Sequence, residues 1–340
     1  MNRNELARIA RAMVVQGKGI LAADESSGTI KKRFDSIKLE STEEARRTYR
    51  EMLFTAPNVA ETISGVIFYD ETIRQKTKDG VPFADYLTKL GVIPGIKVDT
   101  GAKPLAGFPN ETITEGLDGL RERLVEYHKL GARFAKWRAV IDIADGIPTH
   151  FAIDANAHGL ARYAALCQEN GIVPIVEPEV LMDGAHSIER CEQVTTNVLQ
   201  SVFDQLFAHR VYLEGIVLKP NMVISGKKAS NRASPEQVAE ATVRVLKQHV
   251  PSAVPGIAFL SGGQSSEEAT LHLSLMNKLG PLPWALTFSY GRALQDQALK
   301  AWGGTAQNFA AGQKAFAKRA KLNSLATSGR YQAAMESQAA

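Results

Sequence analysis

The sequence predicts an α/β protein: a (β/α)8 barrel with an additional N-terminal helix. Three observations predict it. Eight short β-branched runs recur along the 340 residues. The segments between them leave room for a helix and two loops and carry helix-start chemistry. Charged residues gather at the C-terminal ends of the runs, where this architecture builds its sites.

In chain order, Leu6, Ile9, Ala10, Met13 and Val14 have helical spacing and predict an extra helix before the first strand. Strands are expected over 19–24, 65–70, 95–99, 134–141, 174–180, 215–220, 256–263 and 285–291, with starts roughly 30 to 46 residues apart. Ser41 with Glu44, Ser234 with Gln237 and Ser265 with Glu268 read as capping boxes. Pro235 suits a first helical position, where its missing N–H costs nothing. Residues 1–325 are expected to form one domain, and the small, polar segment 326–340 a loosely ordered tail.

Composition excludes several function classes. With 40 Lys+Arg against 36 Asp+Glu the net charge is +4, too small a bias for a non-specific nucleic-acid binder. No apolar run of about 18 residues occurs, so no membrane span is expected. The N-terminus lacks an uninterrupted apolar stretch, so no secretory signal is expected. Cys167 and Cys191 cannot build a disulfide framework and suit a reducing compartment. Both lie in helical segments and read as small buried hydrophobes. The histidines show no zinc-motif spacing, so no metal or other cofactor is expected. The basic stretch of Lys314, Lys318, Arg319 and Lys321 reads as a solvated helix face.

Barrel strands are buried on both faces and should be almost wholly apolar. Here Lys97 and Asp99, Lys136 and Arg138, and Glu177 and Glu179 form i,i+2 pairs, so both members of each pair face one side of a strand. Lys219 closes the run Ile216-Val217-Leu218, Asp24 ends the first strand, and Arg292 follows the eighth. Such a cluster is costly to desolvate unless mutually paired, and its slight positive excess suits an anionic ligand. A barrel-plugging ion network without chemistry is the bland alternative.

A lysine ending a buried apolar strand, near a second lysine, should have a depressed pKa. Its neutral amine can form a Schiff base with a carbonyl, and the protonated imine then stabilises a carbanion on the adjacent carbon. Lys219 meets that description, with Lys136 as its like-charged neighbour and Glu177 and Asp24 as acid–base partners. The turns Ser261-Gly262-Gly263 and Ser289-Tyr290-Gly291-Arg292 follow the last two strands, where such barrels often bind phosphate. A second hydroxyl-rich turn, Ser26-Ser27-Gly28-Thr29 with Lys32 and Arg33, follows the first strand. Two anion sites on one rim imply a substrate phosphorylated at both ends.

At this point six motifs, in order, carry a family resemblance. They are Leu21 to Ser26, Phe134 to Arg138, Ile175 to Glu179, Leu213 to Met222, Phe259 to Gln264 and Phe288 to Arg292. Together they resemble class I fructose-1,6-bisphosphate aldolase. The resemblance implies a TIM barrel, reversible aldol cleavage of a sugar-phosphate substrate, a cytoplasmic glycolytic or gluconeogenic role and a homotetramer. It implies that Lys219 forms the Schiff base, that Glu177 moves protons during imine formation and dehydration, and that Asp24 handles the carbon 4 hydroxyl proton. Lys136 and Glu179 are implied as tuning partners. Ser261, Gly262, Gly291 and Arg292 fall at the 1-phosphate end, with Ser289 a further substrate-binding residue in the same turn; Ser26, Thr29 and Lys97 fall at the 6-phosphate end, with Arg33 and Arg138 close by. Related lysine lyases acting on fructose 1-phosphate or sedoheptulose 1,7-bisphosphate share this chemistry. One departure stands out: many family members end in a tyrosine that folds over the site, whereas here the last tyrosine is Tyr331.

Overall fold

The structure is a computed structural model and describes residues 1–338. Ten strands form: β1 (Gly19–Ala23), β2 (Ile63–Phe68), β3 (Ile93–Lys97), β4 (Gly101–Pro104), β5 (Thr112–Glu115), β6 (Phe134–Ile141), β7 (Val173–Val180), β8 (Val217–Leu218), β9 (Gly256–Phe259) and β10 (Ala285–Tyr290). Eight of them close a parallel barrel in the order β1-β2-β3-β6-β7-β8-β9-β10, the expected chain order of a (β/α)8 fold. The other two, β4 and β5, make an antiparallel hairpin beyond the eight expected strands. Thr112 and Thr114 hold it against the barrel by donating to the Val140 and Arg138 carbonyls at 3.0 and 2.7 Å.

The expected N-terminal helix spans Arg3–Met13 and turns its apolar stripe of Leu6, Ile9, Ala10 and Met13 inward. These side chains join Phe134, Val173, Ile175 and Val217 in one cluster inside the barrel. The helix thus seals the N-terminal mouth and leaves the opposite mouth for chemistry. Close packing inside the barrel explains Gly95. A Cβ there would lie 2.2 Å from the Phe134 ring. A separate, larger cluster fills the layer between the barrel and the outer helices.

Two of the three capping boxes form, at Ser234 with Gln237 and at Ser265 with Glu268. The third does not. Thr42 caps the helix Glu43–Phe54, and Glu44 pairs with Arg47 at 2.7 Å instead. The expected strand 215–220 shrinks to Val217–Leu218 and is preceded by a 3-10 turn over Leu213–Gly215. The Lys219 N–H still donates to the Val176 carbonyl at 2.8 Å, which keeps its side chain in register with β7.

Parts of the segment expected as a loosely ordered tail from residue 326 are held against the outer helices. Ala326 ends the helix Phe309–Ala326, and Tyr331 is buried. The Tyr331 hydroxyl donates to Glu336 at 2.8 Å, and Glu336 pairs with Arg319 at 2.7 Å. Arg319, expected on a solvated face, is instead fully buried. A buried guanidinium needs carboxylate partners, and Glu336 and Glu267 supply them. Residues 339–340 of the expected tail lie outside the described residues. No described helix is long and apolar enough to cross a membrane.

Candidate active site

The open mouth of the barrel holds a cavity of about 710 Å³. Every site residue named from the sequence lines it: Asp24, Ser26, Thr29, Arg33, Lys97, Lys136, Arg138, Glu177, Glu179, Lys219, Ser261, Gly262, Ser289, Gly291 and Arg292. Strand alternation delivers them. In β6, Lys136 and Arg138 point into the mouth while Trp137, between them, packs outward on Tyr163 at 5.6 Å between ring centroids. Ladder register then sets Lys97 beside Lys136 and Arg138 beside Glu177.

Four side chains form a line of alternating charge. Lys136 Nζ lies 2.8 Å from Asp24 Oδ2 and 3.4 Å from Glu177 Oε2. Glu177 Oε1 lies 3.1 Å from Lys219 Nζ. All four side chains are at least nine-tenths buried, so each charge depends on its neighbours instead of water. Higher on the rim, Lys97 pairs with Asp99 at 2.7 Å and Arg138 with Glu179.

The neighbours drive the two central lysines apart. Burial disfavours both ammonium ions. For Lys136, Asp24, Glu177 and Asp99 outweigh burial and raise its pKa. For Lys219, burial wins: its pKa is lowered, Lys136 adds repulsion, and Glu177 opposes only in part. Asp24 is also buried, but Lys136, Lys219 and Lys97 outweigh that cost and hold its pKa at about 2. The line therefore combines a fixed cation, a carboxylate that stays ionised and an amine biased toward its neutral, nucleophilic form.

The rim above this line is shaped for anions. Gly262 and Gly263 have φ of 50° and 80°, a backbone that only glycine adopts freely. The Ser289 hydroxyl is buried in the wall with no partner. Arg292 makes no ion pair among the described residues. Arg33 pairs with Glu25 and lies close to the eighth-strand turn, since a Cβ on Gly291 would be 3.6 Å from its Nη2.

Three contributors escaped the sequence reading. Glu25 sits buried between Arg33 and Arg50, at 2.9 Å from the latter, and holds Arg33 at the cavity wall. Gln295 donates to the Ala22 carbonyl at 2.6 Å and accepts from Tyr49 at 2.9 Å. Asp99 stood among the strand charges without a role; here it anchors Lys97. Glu25 could have been found as the second acid of Asp24-Glu25, whereas Gln295 carries no local signal. Among the described residues, no group of three or more His, Cys, Asp or Glu is placed to hold a metal ion.

Comparison with known proteins shows the family. Residues 5–340 match the model of the family described as fructose-bisphosphate aldolase class-I. The chain is 59% identical over 332 residues to a probable fructose-bisphosphate aldolase class 1 of Xanthomonas axonopodis pv. citri, covering 97% of this chain and 99% of that protein. It is 55% identical to fructose-bisphosphate aldolase C of Mus musculus, covering 97% and 92% of the two chains. A solved fructose-bisphosphate aldolase from Plasmodium falciparum superposes with a TM-score of 0.96 at 52% identity, covering 97% of this chain and 96% of the other. The chain belongs to the class I fructose-bisphosphate aldolases, metal-independent lyases of glycolysis that cleave fructose 1,6-bisphosphate reversibly to dihydroxyacetone phosphate and glyceraldehyde 3-phosphate through a lysine Schiff base.

Proposed function

We propose that Lys219 is the Schiff-base lysine and that the line from Asp24 to Lys219 carries the proton transfers. The supporting observation is the contrast between the two buried lysines. Only Lys219 is biased toward the free amine. It attacks the carbon 2 carbonyl of the substrate. Glu177, 3.1 Å away, takes the proton from the Lys219 ammonium to free the amine, gives it to the carbinolamine hydroxyl as that leaves as water, and takes it back on hydrolysis. Asp24, ionised because Lys136 holds it so, accepts the carbon 4 hydroxyl proton as the bond between carbons 3 and 4 breaks. The electron pair of that bond moves into the iminium to give an enamine. Lys136 stays a cation throughout, and Glu179 steadies Arg138 at the rim.

The phosphate roles follow the same reading. Ser261, Gly262, Ser289, Gly291 and Arg292 hold the 1-phosphate. Ser26, Thr29 and Lys97 hold the 6-phosphate, with Arg138 beside them and Arg33 reaching both ends. Residues 1–325 act as one catalytic unit. We also propose a cytoplasmic homotetramer, which the family resemblance implies and the free thiols Cys167 and Cys191 suit.

Borohydride reduction in the presence of dihydroxyacetone phosphate, followed by peptide mass spectrometry, tests the central assignment. A substrate-sized adduct on Lys219 is expected. An adduct on another lysine, or none in an active preparation, overturns it.

A further inference from the structure

We propose that Lys227, on the loop after β8, is a further phosphate anchor, held on Asp183 in the empty site and handed to the substrate's 1-phosphate on binding. The proposal rests on the reading of Gly262 and Arg292 as the 1-phosphate site.

Three observations converge on it. First, the loops after β7 and β8 are laced together by their backbones. Gly226, Lys227 and Lys228 N–H groups donate to the carbonyls of His186, Met182 and Gly184 at 2.9, 2.7 and 3.0 Å. The root of Lys227 is therefore held in place beside the phosphate turn. Second, its ammonium lies over that turn. A Cβ built on Gly263 would fall 2.5 Å from Lys227 Nζ and 3.3 Å from Arg292 Nη2. Two cations from different loops thus meet at one glycine, and any side chain there would wedge them away. Third, neither cation is firmly partnered in the empty site. Arg292 has no ion pair among the described residues. Lys227 has one, to Asp183 at 2.8 Å, with the two side chains 40% and 61% exposed.

Such an exposed pair is weak and exchanges easily. A sugar phosphate brings close to two negative charges at neutral pH. Arg292 alone leaves part of that charge unmatched, and Lys227 reaches the same notch as a point charge on a flexible stem. Asp183 then becomes a solvated carboxylate at little cost. The exchange favours a phosphorylated ketone over the same ketone without phosphate.

The test measures half-saturation of borohydride trapping for dihydroxyacetone phosphate and for dihydroxyacetone, in Lys227→Met, Lys227→Arg, Asp183→Asn and Arg292→Ala variants of the full chain. Lys227→Met should raise the half-saturating concentration of the phosphorylated ketone about fivefold to tenfold and leave unphosphorylated dihydroxyacetone within about twofold. Lys227→Arg should restore most of the affinity, and Asp183→Asn should leave it unchanged or tighter. If Lys227→Met has no effect while Arg292→Ala weakens binding, Lys227 is not an anchor. The same conclusion follows if Lys227→Met and Asp183→Asn weaken binding equally, because the pair would then only staple two loops. If Arg292→Ala is also without effect, the phosphate site itself is misplaced and the proposal falls with it.

Discussion

Lys136 lies between two carboxylates, whereas Lys219 faces only one, and that one is shared. Glu177 is 3.4 Å from Lys136 and 3.1 Å from Lys219. The additional partner, Asp24 at 2.8 Å, keeps Lys136 charged under the same burial that lowers the pKa of Lys219. Chemical identity does not separate the two lysines; the number of acids within reach does.

The pH dependence of imine trapping follows from this arrangement. Trapping at Lys219 should rise with pH through an apparent pKa below the usual 10.5. Glu177→Gln removes an interaction that favours the ammonium, so that midpoint should fall further while turnover drops by about 10²-fold or more. A midpoint moving upward, read from trapping against pH, contradicts the assignment.

Lys136→Met should reduce turnover by about 10²-fold or more, because Asp24 loses the cation that holds it ionised. Acid stability should shift as well. The folded pKa of Asp24 lies below its ordinary value, so its contribution is present above about pH 4 and disappears as pH falls toward about 2. Without Lys136 that window moves upward, and an acid titration followed by circular dichroism should show a higher midpoint.

Tyr331 is committed to the outer helical layer and does not line the cavity. Tyr331→Phe should therefore leave both cleavage and proton exchange of dihydroxyacetone phosphate within about twofold, and cost about 1 kcal/mol in urea unfolding. A selective fall in proton exchange would place this hydroxyl in the chemistry.

Arg319→Met strands Glu336 and Glu267 without their shared cation. Loss of about 2 to 4 kcal/mol is expected, at the lower end if the half-exposed Glu267 finds water. Denaturant unfolding measures it, and turnover per folded molecule should be unchanged.

Gly95→Ala pushes a methyl into the Phe134 ring and should cost about 1 to 3 kcal/mol. Phe134→Leu in the same chain should recover part of the loss, because the smaller side chain makes room. Additive losses in the double variant, measured by thermal unfolding, would show that the contact is not the cause.

The sequence by itself determined the eight barrel strands, the sealing helix Arg3–Met13 and the family. Each depends on spacing or on contiguous motifs, which are local. It also determined which strand residues carry charge, because i,i+2 pairs such as Lys136 with Arg138 are visible without a structure. Only the tertiary structure decided the rest. The hairpin β4–β5 has strands of four residues each, too short for a clear period. Arg319 has the helical spacing of a surface residue, and only Glu336, arriving from the end of the chain, shows why it is buried. Glu25 acts through Arg33 and Arg50, and Gln295 through Ala22 and Tyr49 at the other end of the chain, so their roles show only once those partners are packed together. The depressed pKa of Lys219 was already expected from its buried strand end and like-charged neighbour, but the raised pKa of Lys136 was decided the same way, since a proton's affinity depends on charges and burial summed through space, and the fold alone brings Asp24, Lys136, Glu177 and Lys219 into one line.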